Sequence, residues 1–274
     1  MTETFVSLPF VKRLETAVAL CGKECAEQAR LRTPSIAAAV ENIAGGIAVF
    51  AGIDSPITQA VGIGLDGPVT GAELDRLEDF YFSRGAPVNL ELCPFIDPSL
   101  VELLGKRPYR LAEFSNVLIR ELNPEETFAP PAAGVAIRVA EHNEAKTFTY
   151  ILTEGFADGA PMTQSLLDIV EGFFYRTAGC SLFAVVDGEL AGGAGLDIHH
   201  GIAVMAGAST LPRFRQRGAQ NALLSERLAR SAQSGCDLAM TITNPGTVSQ
   251  RNSERAGFRI VYTRTKLVRE CMVL

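Results

Sequence analysis

The residues best suited to chemistry lie in the run Ala208-Ser-Thr-Leu-Pro-Arg-Phe-Arg-Gln-Arg-Gly-Ala-Gln-Asn-Ala-Leu-Leu224. A strand ends near Thr210, a basic loop with one glycine follows, and an amphipathic helix carrying Ala222, Leu223, Leu224 and Leu228 begins at once. The first turn of a helix leaves several backbone N–H groups unpaired and carries a partial positive charge. Gly218 lets a ligand approach the backbone closely, and Arg213, Arg215 and Arg217 add charge beside it. Together these make a cradle for a pyrophosphate. The same run also reads as an ordinary strand–turn–helix with solvated arginines, because charge runs are usually solvated faces.

The elements around this run must position it. The strand Val135 to Ala140 is followed by helical stretches over about 144–157 and 163–178. Ser181 to Val186 reaches the hairpin signal Asp187-Gly188 and leaves through Leu190 to Leu196. A turn at His199-His200-Gly201 leads to a strand, Ile202 to Ala208. The helix 218–234 ends at Gly235, a good C-cap. Leu238 to Thr243 reads as a strand, Ser249 to Ala256 as a helix, and Phe258 to Val268 as mostly strand. This order mixes hairpins with parallel crossovers, so the class is α+β with a mixed, mostly antiparallel sheet and flanking helices.

Upstream, residues 6–34 read as one or two helices, and Gly46 to Ala51 and Ile57 to Ile63 as strands joined by a turn at Asp54-Ser-Pro. Thr70-Gly-Ala-Glu73 is a capping-box pattern opening a helix to about Ser83. Val88 to Leu92 alternates as a strand, Ser99 to Gly105 is a short helix, and Phe114 to Arg120 is a strand. The proline-rich stretch 123–133 is the expected linker between domains 1–122 and 134–274. The two halves share a pattern: Pro108–Glu121 and Gly257–Glu270 each follow a short helix, and four of 14 positions are identical.

The run Arg215-Gln216-Arg217-Gly218-Ala219-Gln220 resembles the core motif of the GNAT superfamily of N-acetyltransferases, Arg/Gln-x-x-Gly-x-Gly/Ala after a Pro-containing loop. Gln220 departs from the Gly or Ala usual at the last position. The segment Pro245 to Phe258, ending in Gly257-Phe258, is similar to the family's next motif. The resemblance covers about 134–270 and implies a GNAT fold, with 1–122 as a degenerate tandem copy. It also implies acetyl-CoA as cosubstrate and no metal. The pantetheine arm would lie on backbone groups around Ala208, Thr210 and Leu211, and the pyrophosphate on amides from Gln216 to Gln220 beside Arg215 and Arg217. Ser249 and Asn252 would lie near the pantetheine or adenine part. They read equally as a helix cap and a surface Asn.

Acyl transfer to an amine needs a neutral amine and a donor for the developing oxyanion, which a strand N–H near Thr210 can supply. Many family members place a Tyr acid four residues before the Gly-Phe pair. Here that position is Ser253, the candidate proton relay. Many also place a Glu on the central strand, yet Ile202 to Thr210 holds no acidic residue. His199 and His200 fall in a predicted turn, and Tyr262 on the last strand reads as packing. Proton removal is therefore expected to use water or the amine's own equilibrium. The expected function is acetyl-CoA-dependent N-acetyl transfer to a small-molecule or peptide amine. The alternative is a weak or inactive acyl-CoA-binding or regulatory protein of the same fold.

Gly62-Ile-Gly-Leu-Asp-Gly67 is a formal Gly-x-Gly-x-x-Gly with Glu91 on the next strand, a weak dinucleotide fingerprint. Pro68 removes a donor there, and Asp66, Glu73 and Asp75 would repel a phosphate, so the first half is not expected to bind CoA.

Composition fits the same picture. The 274 residues carry 25 Lys+Arg against 31 Asp+Glu, a net charge of -6 that argues against a general nucleic-acid binder. Residues 200–274 hold 11 Lys/Arg and 4 Asp/Glu, while 1–199 hold 14 and 27, so the basic excess falls around the predicted cradle. Met1 to Arg13 lacks the pattern of a secretory signal, and the apolar stretch 36–53 is too broken to span a membrane. Six scattered cysteines without zinc spacing suit buried thiols in a reducing, cytoplasmic setting.

Overall fold

A computed structural model describes residues 5–271. The sequence reading of the N-terminus falls partly on residues 1–4, outside the described ones. The chain divides into two compact units. Unit 1 holds Met1–Val117, Thr243–Thr247 and Ile260–Leu274, and unit 2 holds Leu118–Ile242 and Val248–Arg259.

In unit 1, α1 (Leu8–Arg32) opens on Ser7, whose Oγ accepts the Phe10 N–H at 3.4 Å. The strands β1 (Ala39–Ile43) and β2 (Gly46–Phe50) form an antiparallel hairpin. β1 escapes the sequence reading because its turn uses Ala44 at φ 45 beside Gly45, where Asn or Asp would be the usual signal. β3 (Gln59–Val61), α2 (Gly71–Phe82), β4 (Val88–Leu92) and α3 (Pro98–Leu104) follow. β3 is antiparallel to β2 and parallel to β4. The sheet continues through the last strand of the chain, β12 (Arg259–Arg269), antiparallel to β4 with Thr265 opposite Leu92. Residues 110–117 of β5 (Arg110–Glu121) belong to the same unit. Leu74, Leu77 and Tyr81 of α2 pack with Val88, Leu90 and Leu100 to make its core. β12 is anchored by a buried cluster in which Arg264 grips Glu15 at 2.7 and 2.9 Å, and Tyr262 donates its hydroxyl to the same carboxylate at 2.6 Å.

In unit 2, no helix or strand is assigned between β5 and β6 (Val135–Val139), a span that includes the proline-rich stretch. α4 (Ala145–Ala157), α5 (Gln164–Phe174), β7 (Gly179–Val186) and β8 (Glu189–His199) come next. β9 (Ile202–Val204), β10 (Ala208–Thr210), α6 (Ala219–Gln233), β11 (Leu238–Thr243) and α7 (Val248–Arg255) complete the list. The strand order is β11-β9-β8-β7-β6, with β10 added on β8. β9 and β11 are parallel, and the other registered pairs are antiparallel. Phe148 and Leu152 of α4 pack on Leu182, Phe183, Phe214 and Leu223. No helix among the described residues is long and apolar enough to cross a membrane.

Candidate functional site

One strand expected over 202–208 is in fact two, and the break builds the site. β9 pairs with β11 from Ile202–Leu238 to Val204–Met240, and the Met205 N–H adds one bond to the Met240 carbonyl at 2.8 Å. The chain then bulges. The Gly195 N–H is shared between the carbonyls of Ala206 at 3.2 Å and Gly207 at 3.1 Å, after which β10 runs along β8. Hydrogen-bonded residues alternate along an antiparallel pair. Gly207 and Leu211 both bond to β8, the latter through its N–H to the Ala191 carbonyl at 2.9 Å. Ala208 and Thr210 therefore turn their main-chain groups the other way, into the gap left where β11 parts from the strand. Ser209 points its hydroxyl to α4, donating to the Leu152 carbonyl at 2.9 Å.

Leu211 spends its N–H on Ala191, its carbonyl accepts from Phe214 at 2.9 Å, and its side chain is buried. Both main-chain groups of Leu211 are thus already hydrogen-bonded within the fold.

Past β10, Gln216 and Gly218 both have positive φ, 62 and 84. A non-glycine residue there is uncommon and clusters at ligand clamps. Gly218 is the N-cap of α6, and no side chain caps that helix. The N–H groups of Ala219, Gln220 and Asn221 precede the first intrahelical bond, from Ala222 N–H to the Gly218 carbonyl at 3.0 Å. Arg215 and Arg217 flank this end, each held by a carboxylate. Arg215 reaches Asp158 at 2.7 Å and the carbonyls of Gly155 and Thr210, and Arg217 pairs with Asp187. Arg213 stacks on Phe214, 4.9 Å from the ring centre. Gln220 turns its amide toward Thr210, whose hydroxyl lies 3.5 Å from Oε1.

On α7, Ser249 is exposed and Asn252 half-buried. Ser253 is 7% exposed and donates its hydroxyl to the Ser249 carbonyl at 3.1 Å. This is the back-bond of a helical serine to the preceding turn. Gly257, at φ 85, ends the helix and drops Phe258 into the core. His199 closes β8, His200 sits in the turn at φ 51, and Tyr262 is buried on Glu15 in unit 1. The cysteines form no disulfide, and burial pushes the Cys93 thiol up to about 12 and raises that of Cys180.

The matching helix start in unit 1 is closed. α2 has both bonds of a capping box: the Glu73 N–H reaches Thr70 Oγ1 at 3.3 Å, and the Thr70 N–H reaches Glu73 Oε2 at 2.8 Å. The Thr70 backbone and hydroxyl hold the Glu73 carboxyl below its usual range, so an anion stands where a phosphate would need to bind. The formal glycine fingerprint at 62–67 leads into this blocked end. A separate cleft of about 330 Å³ in unit 1 is lined by α1, the β1–β2 turn and residues 61–66. Its Lys12 already pairs with Asp66 at 2.9 Å, and its Glu15 with Arg264.

Two positions missed by the sequence reading matter here: Gly195 and Gly207 at the bulge. The available signal was the glycine-rich stretch Ala191-Gly-Gly-Ala-Gly195, since glycine inside a strand often marks a bulge or a close approach.

Residues 144–258 match the model of the Acetyltransferase (GNAT) family. No curated protein matches the chain by sequence. Among solved structures, a tandem GNAT protein from the clavulanic acid biosynthesis pathway superposes with a TM-score of 0.61 at 12% identity, covering 96% of this chain and 95% of its own. A GCN5-related N-acetyltransferase from Kribbella flavida gives 0.60 at 17% identity, covering 89% and 95%. Another from Sphaerobacter thermophilus gives 0.58 at 15% identity, covering 97% and 94%. At these identities the likeness is one of fold, and it extends over most of the chain.

Proposed function

We propose that this chain, whose residues 144–258 form a domain of the GNAT acetyltransferase family, transfers an acetyl group from acetyl-CoA to an amine, small molecule or peptide. The supporting observation is an uncapped helix start beside an unpaired strand edge. α6 offers the N–H groups of Ala219, Gln220 and Asn221, and β10 offers main-chain groups of Ala208 and the Thr210 N–H, the Thr210 carbonyl accepting from Arg215 Nε.

These residues suit acetyl-CoA. The loop from Gln216 to Gln220 would neutralise the diphosphate with amides and the helix dipole. Arg215 and Arg217 would contribute by exchanging part of their bonding from Asp158 and Asp187. Ala208 and Thr210 would orient the amide-bearing arm as a further strand would. Asn252 and Ser249 would lie near the adenine or pantetheine part. Acetyl-CoA supplies the activated thioester. The Thr210 N–H is the proposed donor for the oxygen that gains charge as the amine adds. Residues 202–210 include no acidic or His side chain, and the Ser253 hydroxyl donates to the Ser249 carbonyl, so we assign the amine proton to water.

Calorimetry of the full chain with acetyl-CoA tests the reading, with Gly218→Glu as control. Binding by the wild type and a loss of at least about tenfold, roughly 1.4 kcal/mol, in the variant are expected. No wild-type binding, or equal binding by the variant, overturns it. Thiol release across a panel of amines then separates a transferase from a protein that only holds acyl-CoA.

A further inference from the structure

Gly195 is the hub of the bulge that opens the gap. Its N–H serves the Ala206 and Gly207 carbonyls together. Its carbonyl accepts a hydrogen bond from Arg227 Nη1 at 3.2 Å. Its side-chain direction is filled, because a Cβ there would lie 2.5 Å from both Phe173 Cζ and Arg176 Nη2.

Arg227 stands out chemically. It projects from α6 and is 2% exposed. Its described partners are two carbonyls, that of Leu223 through Nε at 3.2 Å and that of Gly195. No carboxylate among the described residues pairs with it, whereas the neighbouring Arg176 pairs with Asp197. Burial, with Arg176 adding repulsion, pulls its pKa down to about 10. Burying a guanidinium without a counter-ion is costly, and an apolar side chain would fill the same site without that cost. The chain keeps the cation where its N–H groups hold a strand carbonyl at an irregular point of the ladder.

We propose that Arg227 is a positioning residue for the cosubstrate site: by holding the Gly195 carbonyl it fixes the bulge that turns Ala208 and Thr210 toward the gap. The inference rests on the acetyl-CoA reading of that gap. It explains why a buried cation lies on the helix whose first turn forms the cradle: one helix then sets both the anion site and the strand edge.

The test uses Arg227→Met, which removes the donors, and Arg227→Lys, which keeps a donor for one carbonyl. In the full chain, amide exchange of residues 205–210, the calorimetric dissociation constant for acetyl-CoA, KM, kcat and the thermal midpoint are measured. The Met variant is expected to keep or raise the midpoint, because a buried charge is gone. Exchange in 205–210 should quicken, the acetyl-CoA dissociation constant and KM should rise about tenfold or more, and kcat should fall as well, because the proposed oxyanion donor, the Thr210 N–H, lies on the loosened strand. The Lys variant should recover part of these losses.

A folded Met variant with wild-type exchange and affinity overturns the proposal. So does a lower midpoint without faster exchange in 205–210, which would mark a purely structural role. If the Met variant does not fold, the Lys variant decides, since it should show intermediate exchange and affinity; wild-type values for both, or failure to fold, overturn the proposal. A wild-type protein that ignores acetyl-CoA would overturn the functional reading instead, and the exchange comparison would still judge the bulge.

Discussion

At the scale of single residues, the site is defined by what each polar atom is already doing. Ser253 stands where the family resemblance puts an acid, but its proton is given to the Ser249 carbonyl. Ser253→Ala should therefore leave kcat within a few-fold of wild type, whereas loss of a working general acid costs about 10²–10⁴. A loss of that size in steady-state assays would restore Ser253 to the mechanism. Glu144 gives a pH prediction. Arg138 binds it through two bonds of 2.6 Å, and with the Glu141 N–H this holds its pKa at about 2 against an ordinary 4.5. A carboxylate depressed on folding contributes stability that is present above about 4.5 and lost as pH falls toward 2. The pair is partly exposed, so Glu144→Gln should cost about 0.5–1 kcal/mol at pH 7. That difference from wild type should shrink below pH 4 in urea titrations, and a gap unchanged at pH 3 would contradict the assignment. The loop entering a helix at residues 215–220 was legible in the sequence because such a junction is local. The commitment of the Leu211 N–H was not, because its partner, the Ala191 carbonyl, is distant in sequence and set by the folded backbone.

At the scale of elements, the two helix starts differ by their caps. α6 begins at a glycine with no side-chain cap, and α2 begins in a complete capping box. The Thr70–Glu73 spacing announced the second, and the bonds match it. Thr70→Ala should lower stability by about 1 kcal/mol. It should not create acetyl-CoA binding in unit 1, because Glu73 and Asp75 remain there. β12 supplies the other element-scale prediction. Arg264→Leu leaves the buried Glu15 without its bidentate partner and should cost about 3–5 kcal/mol by denaturant unfolding. Adding Glu15→Leu should recover much of that loss, and no recovery would mean that the site depends on more than the ion pair. The sequence correctly read 258–268 as mostly strand. It did not reveal that residues from Ile260 onward belong to unit 1, because alternation fixes a strand's faces and leaves its neighbour open.

At the scale of the whole molecule, one helix start is open and its counterpart is blocked, so calorimetry should find one acetyl-CoA per chain. A stoichiometry of two would mean that the capping box yields to the ligand. The acidic excess before residue 200 and the basic excess after it suit this division, although the arginines at the cradle already carry partners in Asp158 and Asp187. By itself the sequence determined the class of fold, nearly every element and the start of a helix just past Gly218. Those follow from periodicity, capping and turn chemistry acting over a few residues. Only the tertiary structure decided that the strand at 202–210 breaks, that Gly195 serves two carbonyls, and that Arg227 is buried against the bulge. Each of these depends on hydrogen bonds between segments distant in sequence, where the competing partners of one N–H are settled by packing.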